Sequence, residues 1–157
     1  MNGSGEAFHL HALVETMVRE GRDEAAIVAA VGEAVVAAPR ILVAEDETLV
    51  RLDLRAMLAE AGYEVCAEAA DGLEAVELAA EHEPDVILMD ANMPRLDGVT
   101  AARRILAARD VPIVMLTGYE YGELIDRAYE AGVVRYLVKP VGEREVLEAL
   151  SAVVRAA

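Results

Sequence analysis

Acidic, hydroxyl and basic side chains follow four short aliphatic runs of the chain, at the point where each run ends. Glu45 and Asp46 come after the first run, Asp90 ends the third, Thr117 ends the fourth and Lys139 ends the fifth. Lys139 is the only lysine in a chain that has thirteen arginines. Because the carboxyl ends of parallel strands meet along one edge of a sheet, we expect these side chains to lie close together.

Several carboxylates at one edge repel each other unless a cation joins them. Their hard oxygen ligands suit Mg²⁺, which keeps several waters and takes only a few ligands from the protein. Asp90 is then placed as a nucleophile that accepts a phosphoryl group, and the metal would neutralise charge on the phosphoryl oxygens. We expect Thr117 to donate a hydrogen bond to one of these oxygens, Gly118 to leave room for the group, and Lys139 to contact another oxygen as a compact ammonium.

The runs that carry these residues alternate with helical stretches. Nearly continuous Val, Ile, Leu and Met in the third to fifth runs is typical of strands buried on both faces of a parallel sheet. Five strand–helix units of this size predict an α/β fold with a doubly wound, five-stranded parallel sheet and five helices. The predicted strands are 41–44, 63–69, 85–90, 111–117 and 134–138, and the predicted helices are 48–61, 73–83, 99–109, 121–131 and 143–155.

The first forty residues show helical signals only. Gly21 divides them into two amphipathic segments, and Asp23 is a plausible N-cap for the second. We therefore predict a helical hairpin in residues 1–39 and the α/β domain in residues 40–157. Two helices of this length bury little surface alone, so the hairpin needs a partner surface. It would serve for interaction, regulation or dimerisation.

The composition excludes several classes of protein. The net charge is −15, which argues against a nucleic-acid groove, because phosphate binding depends on clustered Lys and Arg. A single cysteine, Cys66, permits no internal disulfide and is typical of a reduced, cytoplasmic protein. No apolar run reaches the ~18–20 residues that a membrane span needs, and the N-terminus lacks the pattern of a secretory signal. We expect no membrane partner.

Four motifs that occur in a fixed order make the chain similar to one known protein family. They are I-L-V-A-E-D-E at 41–47, D-V-I-L-M-D-A-N-M-P-R-L-D-G at 85–98, P-I-V-M-L-T-G at 112–118 and Y-L-V-K-P at 136–140. Over residues 40–155 the chain resembles the receiver domains of bacterial two-component response regulators. The resemblance implies a flavodoxin-like fold and phosphorylation by a sensor histidine kinase or a phosphotransfer protein, with Mg²⁺ as cofactor.

The resemblance also assigns roles to the acidic residues. Glu45 and Asp46 match the pair that organises Mg²⁺, with Asp46 as the more direct ligand. Asp90 matches the phosphorylated aspartate and also contacts the metal. Asn92 matches the position whose backbone carbonyl binds the metal.

The remaining matches are residues that respond to the phosphoryl group. Thr117 matches the switch hydroxyl, and Tyr136 matches the switch aromatic, whose ring turns inward on activation. Lys139 matches the lysine that contacts the phosphoryl group. Pro140 matches a proline that follows a cis peptide bond, which would aim the lysine. Arg51 and Asp53, on the first helix of the α/β domain, could face either the edge of the site or solvent, and we expect solvent.

Three functions compete at this point. The leading one is a phosphorylation-controlled switch of protein–protein contacts. The surface that would respond, the switch face, is made by the fourth helix, fifth strand and fifth helix of the α/β domain. The hairpin would dock on this face or pair with a second copy of the chain. The second is a DNA- or RNA-binding antiterminator-like regulator with the N-terminal helices as output, although Arg19 and Arg22 face six acids there. The third is a haloacid-type phosphatase, which would need a carboxylate where Asn92 stands. We expect no turnover of an external substrate.

Overall fold

The computed structural model describes residues 3–36, 38–118 and 122–156, and within them it contains seven helices and five strands. The helices are α1 (Gly3–Arg19), α2 (Glu24–Val36), α3 (Thr48–Glu60), α4 (Gly72–His82), α5 (Gly98–Ala108), α6 (Gly122–Glu130) and α7 (Glu143–Ala156). The strands are β1 (Arg40–Ala44), β2 (Glu64–Ala69), β3 (Val86–Asp90), β4 (Ile113–Thr117) and β5 (Arg135–Val138).

All five strands are parallel and lie in the order β2-β1-β3-β4-β5. This order reverses between β1 and β3, which is where a doubly wound sheet opens a crevice at the carboxyl ends of its strands. The predicted α/β class, sheet and strand number are therefore confirmed. Strand β4 starts two residues later than predicted because Pro112 has no N–H to donate; its carbonyl accepts a hydrogen bond from Ile87 N at 3.0 Å.

Two apolar layers cover the faces of the sheet. Alternate residues of β1 point to opposite sides: Leu42 and Ala44 pack with α4, α5 and α6, whereas Ile41 and Val43 pack with α3 and α7. Strands β3 and β4 are buried along their whole length, as their aliphatic composition predicts. The same prediction is wrong for β5, where Arg135 is exposed and Tyr136 and Val138 are half-buried, because β5 lies at the edge of the sheet. Packing in these two layers sets the positions of the strands, and the positions of the strand ends place the side chains of the candidate site.

The N-terminal helices form the predicted hairpin. Asp23 Oδ1 accepts a hydrogen bond from Ala26 N at 2.7 Å and so caps α2, and Gly21 occupies a left-handed conformation with φ +73° between the helices. Helix α1 packs against α2 and also contacts α3. In the described part of the chain, no helix combines the length and the apolar character needed to cross a bilayer.

Candidate functional site

Lys139 joins two buried carboxylates at the carboxyl edge of the sheet. Its Nζ lies 2.9 Å from Glu45 Oε2 and 2.9 Å from Asp90 Oδ2. The three residues come from the ends of β1, β3 and β5, so the sheet order brings together side chains that are far apart in sequence. Glu45 and Asp90 have side chains that are 1% and 7% exposed, and the lysine side chain is 28% exposed. The ion pairs are therefore shielded on the carboxylate side and open to solvent on the lysine side.

Hydrogen bonds from backbone N–H groups restrain the strand ends and the Asp90 side chain. Lys139 N donates to Thr117 O at 2.6 Å, which joins the end of β5 to the end of β4. Asn92 N donates to Asp90 Oδ1 at 3.0 Å, so each carboxylate oxygen of Asp90 has its own partner. The Asp90 side chain is thus fixed in orientation by two donors, one neutral and one charged.

The acidic residues fit a small divalent cation. Glu45, Asp46 and Asp90 each offer a carboxylate oxygen, and these oxygens all lie within 4.8 Å of one another. Asp46 is exposed, so the cluster is open to solvent on one side. Three carboxylates against the single ammonium of Lys139 leave an excess of negative charge, which a divalent ion would balance. Oxygen ligands with space for waters are what Mg²⁺ prefers.

Burial controls the charge of Glu45. Removal of its carboxylate from water raises its pKa from 4.5 to about 7; the nearby charge of Asp90 also raises it, and the Lys139 hydrogen bond opposes the shift. Burial alone would lower the pKa of Lys139, but its hydrogen bonds to Glu45 and Asp90 reverse this and raise the pKa overall. Lys139 therefore stays charged at neutral pH, whereas Glu45 can exchange a proton there.

The loop after β3 packs so closely on Asp90 that only glycine fits at position 98. A Cβ on Gly98 would lie 2.2 Å from Asp90 O and 2.8 Å from Ala91 Cα. Gly98 N also donates to Ala91 O at 2.9 Å, and Asp97 caps α5 by accepting from Thr100 N at 2.9 Å. The start of α5 is therefore held against the backbone of the acidic strand end.

Comparison of the sequence with known protein families shows to which family the chain belongs. Residues 41–151 match the family described as the response regulator receiver domain. The chain belongs to this family. It is a two-component response regulator receiver domain preceded by two helices, as the four motifs predict.

Individual proteins support the same assignment. The transcriptional regulatory protein PdtaR of Mycobacterium tuberculosis is 50% identical over 111 residues, which are 71% of this chain and 54% of that protein. The chain thus spans about half the length of this curated relative. The receiver domain of the response regulator NarL from M. tuberculosis superposes with a TM-score of 0.73 at 25% identity, over 76% of this chain and 98% of that one.

A third similar structure is described as a complex that contains a ligand. It is the CheX–CheY–BeF₃–Mg²⁺ complex of Borrelia burgdorferi, matched with a TM-score of 0.70 and 25% identity. The match covers 73% of this chain and 87% of that chain.

The fold brings most of the site residues predicted from sequence to the carboxyl edge of the sheet, called the rim below. Thr117 is fully buried at the end of β4, next to the Lys139 backbone. The peptide bond between Lys139 and Pro140 is cis. Gly118 is exposed, and a Cβ there would meet no atom within 4 Å. Asn92 is exposed and its N–H contacts Asp90; its role as a carbonyl ligand stays a prediction.

Tyr136 lies away from this rim. Its ring is half-buried and packs against the apolar layer under α4, α5 and α6. A switch role for Tyr136 stays a prediction, because a packed aromatic ring is also a common core residue.

One expectation from sequence is wrong. Asp53 is exposed as expected, but Arg51 does not face solvent. Its side chain is 18% exposed, Nη1 donates to Glu45 O at 2.7 Å, and Nε lies 3.7 Å from Glu68 Oε1. The helix start at Thr48 turns Arg51 back over the acidic loop, which helical spacing alone does not reveal. Sequence reasoning also missed the Gly98 contact, whose only signal is the D-G pair at 97–98.

Proposed function

We propose that Asp90 accepts a phosphoryl group from the phosphohistidine of a sensor histidine kinase or phosphotransfer protein. In this step the phosphorus–nitrogen bond of the donor breaks, a phosphorus–oxygen bond to the Asp90 carboxylate forms, and the histidine leaves. The observation that carries the proposal is the fixed, buried Asp90 carboxylate, which Lys139 Nζ contacts at 2.9 Å beside two further acids. Its orientation by two donors lowers the entropic cost of reaching an attacking geometry.

The residues around Asp90 would have two roles, metal binding and contact with the phosphoryl group. Glu45, Asp46 and Asp90, with the backbone carbonyl of Asn92, would hold Mg²⁺, which when bound neutralises charge on phosphoryl oxygens. Lys139 would move from its resting carboxylate partners to a phosphoryl oxygen as a compact cation. The matched CheX–CheY complex, which contains beryllofluoride and Mg²⁺, supports the same chemistry here.

Phosphorylation from a small donor tests this proposal directly. Incubation with acetyl phosphate and MgCl₂ should add one phosphoryl group to the wild-type chain, measured by intact mass. The Asp90→Asn variant should remain unmodified, and chelation of Mg²⁺ should abolish the reaction. Asp110→Asn, at an exposed aspartate, is the matched control and should be labelled at the wild-type rate. Equal labelling of Asp90→Asn and wild type would exclude Asp90 as the acceptor.

We infer that the output of the receiver is a change in protein–protein contacts. The charge of −15 disfavours direct contact with nucleic acid, and the N-terminal hairpin provides an additional surface beside α3. Gel filtration of the full chain and of a chain that starts at Arg40 separates pairing of two copies through the hairpin from docking within one chain. An oligomeric state that does not change on truncation would exclude pairing through the hairpin.

Transcriptional regulation is a second candidate, favoured by the name of the relative that is 50% identical. Such an activity would belong to the whole regulator, and this chain matches only 54% of that protein. Residues 1–38 contain Arg19 and Arg22 against six acids, so they are a poor phosphate-binding surface. A salt-dependent mobility shift of DNA or RNA by this chain would nevertheless revive this candidate.

A further inference from the structure

We propose that Arg51 is a positioning residue for the loop 45–47, which carries Glu45 and Asp46. The inference rests on the proposed Mg²⁺-dependent function of this loop. Arg51 contacts no phosphoryl site; it acts on the backbone that presents the acids. Its guanidinium Nη1 donates to Glu45 O at 2.7 Å, and its backbone N donates to Glu47 O at 2.9 Å.

Further hydrogen bonds of the loop among the described residues involve other atoms than the Glu45 carbonyl, one of them from Glu47 N to Glu45 Oε1 at 3.3 Å. Glu45 N still belongs to the sheet, because it donates to Ala69 O at 2.9 Å. The carbonyl of Glu45 lies past the end of β1, where no strand residue is paired with it. A charged donor at this carbonyl replaces the missing ladder bond, and it fixes the peptide plane between Glu45 and Asp46. The direction of the Asp46 side chain depends on that plane.

Glu68 on β2 orients Arg51 in turn. Arg51 Nε lies 3.7 Å from Glu68 Oε1, and the Arg51 side chain is 18% exposed. Arg55, one helical turn later, contacts the other oxygen of the same acid, with Nη1 3.3 Å from Glu68 Oε2. The Arg55 side chain is 53% exposed. Arg55 thus shares the charge and the acidic partner of Arg51 but is not bonded to the Glu45 carbonyl, which makes it a matched control.

Simple electrostatics and positioning predict opposite effects on metal affinity. Removal of a positive charge near a cation site reduces repulsion, so Arg51→Gln should bind Mg²⁺ more tightly if only charge matters. If Arg51 holds the loop, Arg51→Gln should bind Mg²⁺ about tenfold more weakly, the lower end of the effect of supporting residues around metal ligands. Arg55→Gln should bind as tightly as the wild type or slightly more tightly.

The test is an NMR titration of backbone amides with MgCl₂ in the full chain. We expect the order of affinity to be Arg55→Gln equal to or above wild type, then Arg51→Lys, then Arg51→Gln. A lysine can still donate to the Glu45 carbonyl but lacks the planar guanidinium whose Nε lies 3.7 Å from Glu68 Oε1, so about a threefold loss of Mg²⁺ affinity is expected. The proposal would be overturned if Arg51→Gln bound Mg²⁺ as tightly as Arg55→Gln. It would also be overturned if the Mg²⁺ affinity of Arg51→Lys were no higher than that of Arg51→Gln.

A metal-free measurement separates this inference from the proposed function. Hydrogen exchange of the Glu45 and Glu47 amides should be about tenfold faster in Arg51→Gln than in Arg55→Gln, because an unheld loop opens more often. Unchanged exchange would refute positioning by Arg51 even if Mg²⁺ binds. A wild-type chain that shows no Mg²⁺ response would instead refute the proposed function and leave the exchange result to decide the role of Arg51. Should Arg51→Gln fail to fold, Arg51→Lys decides: equal or higher Mg²⁺ affinity than wild type overturns the proposal.

Discussion

The charge of Glu45 should control the stability of the metal-free protein between about pH 5 and pH 8. Its pKa is raised from 4.5 to about 7 in the folded chain, first by burial and then by the nearby Asp90 charge. Between these two values the folded state keeps a proton that the unfolded state has released. Unfolding therefore releases protons, and the free energy of unfolding falls as the pH rises through this window.

The size of the effect follows from the shift. One pKa unit corresponds to about 1.4 kcal/mol, so a carboxyl with folded and unfolded pKa values of about 7 and 4.5 loses about 2 to 3 kcal/mol between pH 5 and pH 8. Lys139 and Asp97 also have shifted pKa values, but neither group titrates between pH 5 and pH 8. Lys139 has a raised pKa and stays charged, and the pKa of Asp97 is lowered, by its bonds to Thr100 against the opposing effect of burial.

Urea denaturation followed by circular dichroism, in buffer with a metal chelator, measures this dependence. Glu45→Gln imitates the protonated side chain, so it should match the wild type near pH 5 and exceed it by about 2 kcal/mol near pH 8. Glu60→Gln, at an exposed acid on α3, should follow the wild-type curve. If Glu45→Gln is less stable than the wild type at pH 8, the attraction of Lys139 outweighs the cost of burial, and the reasoning is refuted.

Three further substitutions and one control test contacts near the carboxyl edge of the sheet. Lys139→Arg should lose the beryllofluoride-induced shifts of the switch face in NMR spectra, because a planar guanidinium does not fit between carboxylates that Nζ contacts at 2.9 Å; wild-type shifts would disprove the size argument. Gly98→Ala should lower the free energy of unfolding by about 1–3 kcal/mol, since its Cβ would lie 2.2 Å from Asp90 O. Gly142→Ala, which meets nothing within 4 Å, should change it by less than about 1 kcal/mol. Asp71→Ala should cost about 1–2 kcal/mol in urea denaturation, because Asp71 Oδ1 caps α4 by accepting from Glu74 N at 2.8 Å; no loss would mean that solvent replaces the cap.

The fold could be predicted because its signals are local. Continuous aliphatic runs indicate strands buried on both faces, and Asp23 marks the start of a helix by capping chemistry that needs no tertiary contact. Parallel strands then place their carboxyl ends at one edge. The convergence of Glu45, Asp90 and Lys139 follows from that geometry.

The details that sequence could not supply are contacts between elements. Arg51 lies on a helix with exposed neighbours, so its spacing favours solvent. The Glu45 carbonyl at 2.7 Å and the approach of Glu68 from β2 make the inward position favourable. Similarly, the need for glycine at position 98 comes from the path of the loop across Asp90. Both contacts depend on how two segments meet, and neither segment alone encodes that distance.

The resting ion pairs also explain how a change at Asp90 would reach the surface. Lys139 holds Glu45 and Asp90 with one ammonium, and its backbone N–H is bonded to Thr117 O, so its side chain and main chain connect three strand ends. A phosphoryl group on Asp90 would compete for the ammonium and leave Glu45 without the Lys139 contact, in an environment where burial already disfavours its charge. The Mg²⁺ that Glu45 would hold in the proposed reaction would then remain as its counter-ion. Tyr136 lies on β5, three residues before the lysine. We therefore expect Lys139 to be the group through which a charge on Asp90 acts on β5, and a compact, mobile cation suits that position.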